Sequence, residues 1–213
     1  MNQDTFYRHA RVEDSRQIAE LFQYSSDGVA DYIWRNQAGP GESLLDVGAA
    51  RYARENTEFS YQNCIIALRR GRVVGMMHAY PVLKAGDVVE DPVLRPYAEL
   101  EAPGSLYLSG MALKPAFRNG GLGAGFFALA RERARRQGLE RLSALVFESN
   151  TGSLRLCRRQ GFALVDARPV VPHPLIRRQG RVFLLTAAVS AIEEGPVPGL
   201  RPAYEQINIR RAA

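Results

Sequence analysis

Apolar residues along this chain follow two rhythms, and the rhythms alternate. Dense short runs at residues 6–10, 63–68, 73–80, 106–113, 142–147, 163–171 and 182–189 predict strands. Between them, apolar positions recur at helical spacing. Ile18, Leu21 and Phe22 follow the polar opening Glu13-Asp14-Ser15 and predict one helix, and residues 44–54 predict another. Phe126, Phe127, Leu129 and Ala130 mark the dry side of a third, with Arg131, Glu132, Arg133, Arg135 and Arg136 on its wet side. Leu154, Leu156 and Cys157 place a fourth between Asn150 and Gly161. Arg69-Arg70-Gly71-Arg72 reads as a hairpin turn. Residues 81–104, with four prolines, read as a long irregular excursion, a kind of connection that is often functional.

The segment after the strand at 106–113 carries the most informative chemistry. Pro115 ends the strand, because proline has no N–H for the ladder. Arg118-Asn119-Gly120-Gly121-Leu122-Gly123 then leads straight into helical periodicity. The first amides of that helix have no internal partner, and the positive end of its dipole faces the turn. Glycine permits positive φ and keeps Cβ atoms away from a ligand. Such a turn suits a phosphate, and it is equally compatible with a plain glycine-rich loop. A Walker A loop is excluded, since no Gly-Lys-Ser/Thr follows, and Gly-x-Gly-x-x-Gly is not present either.

Gly138 suits the residue after a helix, Asn150 suits an N-cap, and Gly161 suits a second helix stop. Taken in order, these motifs resemble the core of the GCN5-related N-acetyltransferases, the GNAT superfamily. Arg118, Gly121 and Gly123 fill that family's turn, and Asn150, Ser153, Gly161 and Phe162 fill its second motif. The resemblance implies an α/β (α+β) fold, a mixed, mostly antiparallel twisted sheet of about six to seven strands flanked by helices. It implies transfer of an acetyl group from acetyl-CoA, as cosubstrate, to a primary amine that attacks the thioester directly. It further implies that the amides of Asn119, Gly120, Gly121, Leu122, Gly123 and Ala124 wrap the CoA pyrophosphate, with Arg118 adding charge-assisted bonds. Backbone at Met111, Ala112 and Leu113 would bind the cofactor and polarise the thioester carbonyl. Asn150 and Ser153 would approach the pantetheine arm, although Asn150 also serves as a simple cap. One position departs from the family pattern. Where many members carry a tyrosine that protonates the leaving thiolate, this chain has Cys157. A thiol of pKa about 8.5 can donate a proton but is shorter; its other reading is a small buried apolar residue.

Composition narrows the rest. The chain has 213 residues, 46% hydrophobic and 23% charged, which suits one domain with a substantial core; we expect that domain over residues 1–194 and a Pro- and Arg-rich tail over 195–213. No apolar run approaches a membrane span, and residues 1–5 lack a signal-peptide pattern. Cys64 and Cys157 lie far apart, which favours a reduced, cytoplasmic protein. His9, His78 and His173 show no metal-ligand spacing, so no metal is expected. The net charge is +6, with lysine only at 84 and 114. The arginines are interspersed with acids, which fits a solvated surface better than a nucleic-acid-binding face.

The acceptor is less legible. Tyr32, Trp34 and Tyr61 are candidate walls of an acceptor pocket, which the excursion at 81–104 and the loop at 172–175 would border. For the base that deprotonates the amine, the sequence offers Glu55, Glu58, Glu99 and Glu101, or water relayed through Tyr107 or Ser109, and spacing selects none. A small molecule or a peptide would serve as acceptor, and a homodimer is compatible with the family. The alternative is a catalytically weak acyl-CoA-binding regulatory module, motivated by Cys157; a basic nucleic-acid-binding domain ranks third.

Overall fold

The computed structural model describes residues 5–190. Seven strands form one sheet in the order β1-β2-β3-β4-β5-β7-β6. They are β1 (Thr5–His9), β2 (Cys64–Arg69), β3 (Arg72–Val82), β4 (Ser105–Leu113), β5 (Arg141–Phe147), β6 (Ala163–Pro169) and β7 (Arg181–Ala188). Every neighbouring pair is antiparallel except β4 and β5, which run parallel. The β2–β3 hairpin turns on Arg70 and Gly71, both at positive φ (50° and 73°), as tight hairpins require.

Helices cover both faces. On one lie α1 (Ser15–Ser25), α2 (Val29–Arg35) and α3 (Leu44–Ala53). Their Ile18, Phe22, Trp34 and Tyr52 pack with Cys64, Ile66 and Leu68 of β2. On the other lie α5 (Leu122–Arg136) and α6 (Thr151–Arg159); Phe126, Phe127 and Leu129 of α5 pack with Ile65 and Ala67 of the same strand. Alternate residues of one strand thus enter two cores, which explains why its sequence reads as an unbroken apolar run. A short α4 (Arg95–Ala98) interrupts the excursion at 81–104.

Several expectations change. Residues 29–35 form α2, which is too short for its periodicity to show in the sequence. It is held by Trp34, 1% exposed, whose ring lies where a Cβ on Gly48 would come within 2.5 Å. Strand β6 ends at Pro169, short of the expected Val171. Pro81 does not open the excursion but pairs with Leu106 inside β3. Beyond His78 that strand has no β2 partner, so proline's missing N–H costs nothing on the open side. Arg131 is not on the wet side: it is fully buried and donates to the Gln160 carbonyl (2.5 Å) at the end of α6. There it meets the negative end of that helix. Arg133 likewise turns under the sheet to the Ala79 carbonyl (2.8 Å) and Asn63 (2.7 Å).

The parallel junction is short. Ser105 to Leu108 pair with Arg141 to Ala144, and nothing beyond is paired. Inside it the buried hydroxyls of Ser105 and Ser143 hydrogen-bond at 2.7 Å, and Ser105 also donates to the Ala102 carbonyl (2.6 Å). Replacing Ser105 by alanine strands two buried groups. We expect a loss of about 1–3 kcal/mol in urea unfolding; a change under about 0.5 kcal/mol would mean the hydroxyl pair carries no weight.

Candidate functional site

Strand β4 stays paired with β3 as far as Leu113, and β5 stays paired with β7 as far as Phe147. Since the two strands pair with each other only as far as Leu108 and Ala144, they part there. The register of β4 on β3 also slips at this point: His78 faces Gly110 and Ala79 faces Leu108, which leaves Ser109 as a bulge. The extra residue inverts the alternation of β4. Leu106 and Leu108 before it, and Met111 and Leu113 after it, all join the α5 side, whereas Ala112 joins the α1 side. A cavity of about 730 Å³ occupies the opening. Residues 109–111 and 145–147 form its two strand edges; Ser153 and Cys157 of α6, Asn150 just before α6 as its cap, and Phe127 of α5 close one end. Phe22, Phe59, Tyr80, Tyr107 and residues 81–86 surround the other.

The glycine turn lies at the start of α5. Gly121 caps that helix at φ 84° with no side-chain acceptor for the first amides, and Asn119 is also left-handed, at φ 60°. The N–H groups of Leu122, Gly123 and Ala124 lie in the first turn, where a helix supplies no partner. A Cβ on Gly120 or Gly121 would meet no protein atom within 4 Å, so the space before these donors is open. Gly125 is different: a Cβ there would sit 2.2 Å from the Tyr7 hydroxyl, which donates to the Leu122 carbonyl (2.9 Å) and fastens the turn to β1. Arg118 does not point freely outward. It donates to the Leu113 carbonyl (3.1 Å) and the Tyr24 hydroxyl (2.8 Å), bridging the turn to α1.

Asn150 accepts from the Ser153 amide (3.1 Å) and so caps α6 through its Oδ1 while lining the cavity. Cys157 lines the same wall, 5% exposed; burial pushes its thiol up to about 11. Met111 lines the cavity, whereas Ala112 is buried on the opposite face and Leu113 packs against the α5 core.

Of the candidate bases, Glu58 and Glu101 border the cavity. Glu55 instead accepts from the Tyr61 hydroxyl (2.8 Å) and Glu99 pairs with Arg168 (3.0 Å), and neither lines it. Tyr107 and Ser109 both line it, and burial holds the Tyr107 phenol far above its usual pKa. The expected aromatic walls are elsewhere. Trp34 is in the core, Tyr61 is with Glu55, and Tyr32 bonds Asp91 (2.8 Å) and packs edge-on against His173 in the loop at 172–175. From α2, Val29 and Ile33 face the cavity instead.

Two residues the sequence does not single out belong to this site. His78, fully buried, accepts or donates at Nδ1 with the Ser109 hydroxyl, and its Nε2 lies 2.8 Å from the Glu58 carbonyl. A carbonyl can only accept, so Nε2 carries the proton, Nδ1 accepts, and Ser109 donates. Desolvation lowers the His78 pKa to about 3. Arg51 on α3 also borders the cavity, its guanidinium 4.1 Å above the Phe59 ring. One lone histidine in a strand and one arginine on a helix carry no sequence signal; only the tertiary contacts bring them here.

The Acetyltransferase (GNAT) family model matches residues 30–162. No curated relative matches the chain. Among solved structures, one described as an acetyltransferase superposes with a TM-score of 0.63 at 21% identity, covering 86% of this chain and 99% of its own. The ribosomal-protein-alanine N-acetyltransferase of Brucella melitensis gives 0.58 at 22% identity, covering 86% and 99%. The yncA structure from Salmonella typhimurium, with its cofactor acetyl-CoA, gives 0.55 at 18% identity, covering 90% and 98%. These likenesses show the shared fold.

The neutral His78 makes stability pH-dependent. Its folded pKa of about 3 lies below the unfolded value of 6.5, so between the two the unfolded chain binds more protons. Stability is therefore fully present above about pH 6.5 and is lost as pH falls toward 3, by roughly 3 kcal/mol at pH 4. His9 acts in the same direction, so the comparison is with His78→Gln. In urea unfolding at pH 7 and pH 4 the variant should show the smaller drop. Equal drops would mean that His78 is not held neutral in the fold.

Proposed function

The chain belongs to the Acetyltransferase (GNAT) family, and from that premise we propose that it is an N-acetyltransferase. An acetyl group passes from acetyl-CoA to a primary amine, by direct attack, in the opening between β4 and β5. One observation carries the reading: the parallel β4–β5 pair parts after four residues and a cavity fills the gap, so the β4 backbone has polar groups without a ladder partner beside room for a thioester. The chain's own groups take the following parts. Amides of residues 119–124 hold the CoA pyrophosphate, a role supported by open space at Gly120 and Gly121 and by the unpartnered first turn. Asn150 keeps its Oδ1 for the cap and turns its amide nitrogen toward the pantetheine arm. A β4 amide near Met111 polarises the carbonyl.

In the transfer, the amine nitrogen bonds to the thioester carbon, the carbon–sulfur bond breaks, and the thiolate leaves. The incoming ammonium sheds two protons, one before attack and one as the amide nitrogen forms; the second passes to water, and the first must go to a base. His78 is unsuited, since holding a proton at neutral pH opposes its burial. We assign that proton to Glu101, through water. It is half-buried at the cavity, receives the Gly86 amide (2.6 Å), and lies near enough to Tyr107 to act on it. The Cys157 thiol stays protonated, but at about 11 it is a weaker acid than an ordinary thiol of about 8.5. We therefore assign it to the wall, with the thiolate departing without its proton. A small-molecule or peptide amine, a reduced cytoplasmic setting and one domain over residues 1–194 complete the proposal. Both cysteines are free and buried, and among the described residues no helix is long and apolar enough to cross a membrane. The tail expected at 195–213 lies outside the described residues.

Titration of acetyl-CoA by calorimetry tests the cofactor site. Gly121→Val adds a side chain into the space before the first amides, and CoA affinity should fall at least tenfold; unchanged affinity in a folded variant would refute the placement. For the base, Glu101→Gln should lower kcat by about 10²-fold at pH 7 and recover at alkaline pH, where the amine arrives deprotonated. Glu55→Gln and Glu99→Gln should leave the rate alone. An unaffected Glu101→Gln would move the role to Glu58. Cys157→Ala should turn over within a few-fold of the parent at all pH; a large loss of kcat would restore Cys157 as the acid. Tight acetyl-CoA binding without turnover on any amine would favour the regulatory module.

A further inference from the structure

At the end of the cavity away from α6, the wall is aromatic and holds a cation with no acid beside it. Arg8 pairs with Asp14, Arg16 with Asp46, and Arg181 with Glu148. Arg51 forms no such pair among the described residues. Its Nη1 reaches only the Gln37 amide oxygen, at 3.4 Å, and its Nε is buried without a partner. Glu58 acts on it only at a distance. A guanidinium partly withdrawn from water is stabilised by a carboxylate, whose two oxygens match its planar fork.

The other end of the same wall is marked by Ser109. Because its hydroxyl proton is given to His78, the oxygen has only acceptor lone pairs left for the cavity, which suits an amine N–H. Arg51 and Ser109 are two aromatic steps apart: the guanidinium lies on Phe59, and Phe59 adjoins His78 at 5.0 Å. Tyr80 and Tyr107 extend this surface, with Tyr80 5.7 Å from Phe59 and 5.5 Å from Tyr107. The cavity therefore presents an acceptor for the amine, an apolar stretch, and a donor fork for an anion, in that order.

We infer that the acceptor is a primary amine carrying a carboxylate at the far end of an apolar or aromatic body, and that Arg51 anchors that carboxylate. An ω-amino carboxylate or a short peptide fits this spacing; an α-amino acid does not, since its two groups share one carbon. The inference rests on the reading of the cavity as the acyl-transfer site.

Three probes of one shape test it: 4-(aminomethyl)benzoate, 4-(aminomethyl)benzamide and benzylamine, each with acetyl-CoA in a thiol-release assay. The benzoate should exceed the other two at least tenfold in kcat/KM. Arg51→Gln should erase that preference by raising KM for the benzoate while leaving the benzamide unchanged, and Arg51→Lys should restore part of it. Equal rates on all three amines, or an equal loss on benzoate and benzamide in Arg51→Gln, would overturn the inference. If none is turned over, the product analogue 4-(acetamidomethyl)benzoate is titrated into the protein with CoA. Binding that weakens tenfold in Arg51→Gln supports the anchor, and no binding overturns it. Acetyl-CoA calorimetry on the same samples separates the two levels. Intact acetyl-CoA binding without carboxylate preference sinks the anchor alone, whereas no acetyl-CoA binding to the folded parent sinks the acyl-transfer reading and the anchor with it.

Discussion

Four residues of parallel pairing, Ser105 to Leu108 on Arg141 to Ala144, join the two halves of the sheet. The two halves can diverge beyond them because each strand has a full partner on its other side, β3 for β4 and β7 for β5. Divergence leaves polar backbone without a ladder, a state that persists only where a ligand or water can satisfy it. The bulge at Ser109 sits where the pairing ends and re-aims β4, so that Met111 faces the opening side while Gly110 stays against Phe22. A Cβ on Gly110 would come within 2.7 Å of that ring, which ties the strand closely to α1 just where it turns away from β5.

Charge is managed in two different ways around this opening. Two cations hold the frame through backbone carbonyls: buried Arg131 at the end of α6, and half-buried Arg133 on β3, with Asn63 beside it. Arg51 keeps an unpartnered Nε, and the Tyr97 hydroxyl is buried with no partner. Burial lifts the phenols of Tyr80 and Tyr107 and holds His78 neutral, so none of these three exchanges a proton easily near pH 7. On the proposed reading, proton removal then falls to the carboxylates nearer solvent and orientation of the amine to the interior.

The end of the cavity that we assign to the acceptor is assembled from segments that are neither adjacent in sequence nor marked by motif. Phe22 comes from α1, Val29 and Ile33 from α2, Arg51 from α3, and Tyr80 from β3. The excursion at 81–104 adds Leu83, 75% exposed at the mouth, an apolar surface consistent with an apolar ligand body. Family membership speaks to the shared chemistry of the other end. Structures of similar fold at about a fifth identity say nothing of what this end binds.

Strands, long helices, the glycine turn and the cap at Asn150 are legible in the amino-acid order, because each is local. Apolar period, glycine at positive φ and an Asx cap are all set within a few residues. The order alone did not reveal that Arg131 is buried: the position is in helical register with Phe127 and Ala134, but an arginine reads as wet, and the end of α6 that accepts its protons arrives only in the folded chain. It could not select Glu101 over Glu99, two residues apart, because only the packed loop turns one toward the cavity and the other toward Arg168. Nor could it join His78 to Ser109 or Arg51 to Phe59, contacts that exist because a bulge and a parted strand pair bring distant segments to one wall. Local backbone preferences wrote the turn of α5 and the cap of α6, and the tertiary packing of three helices on an opened sheet decided the aromatic half of the cavity.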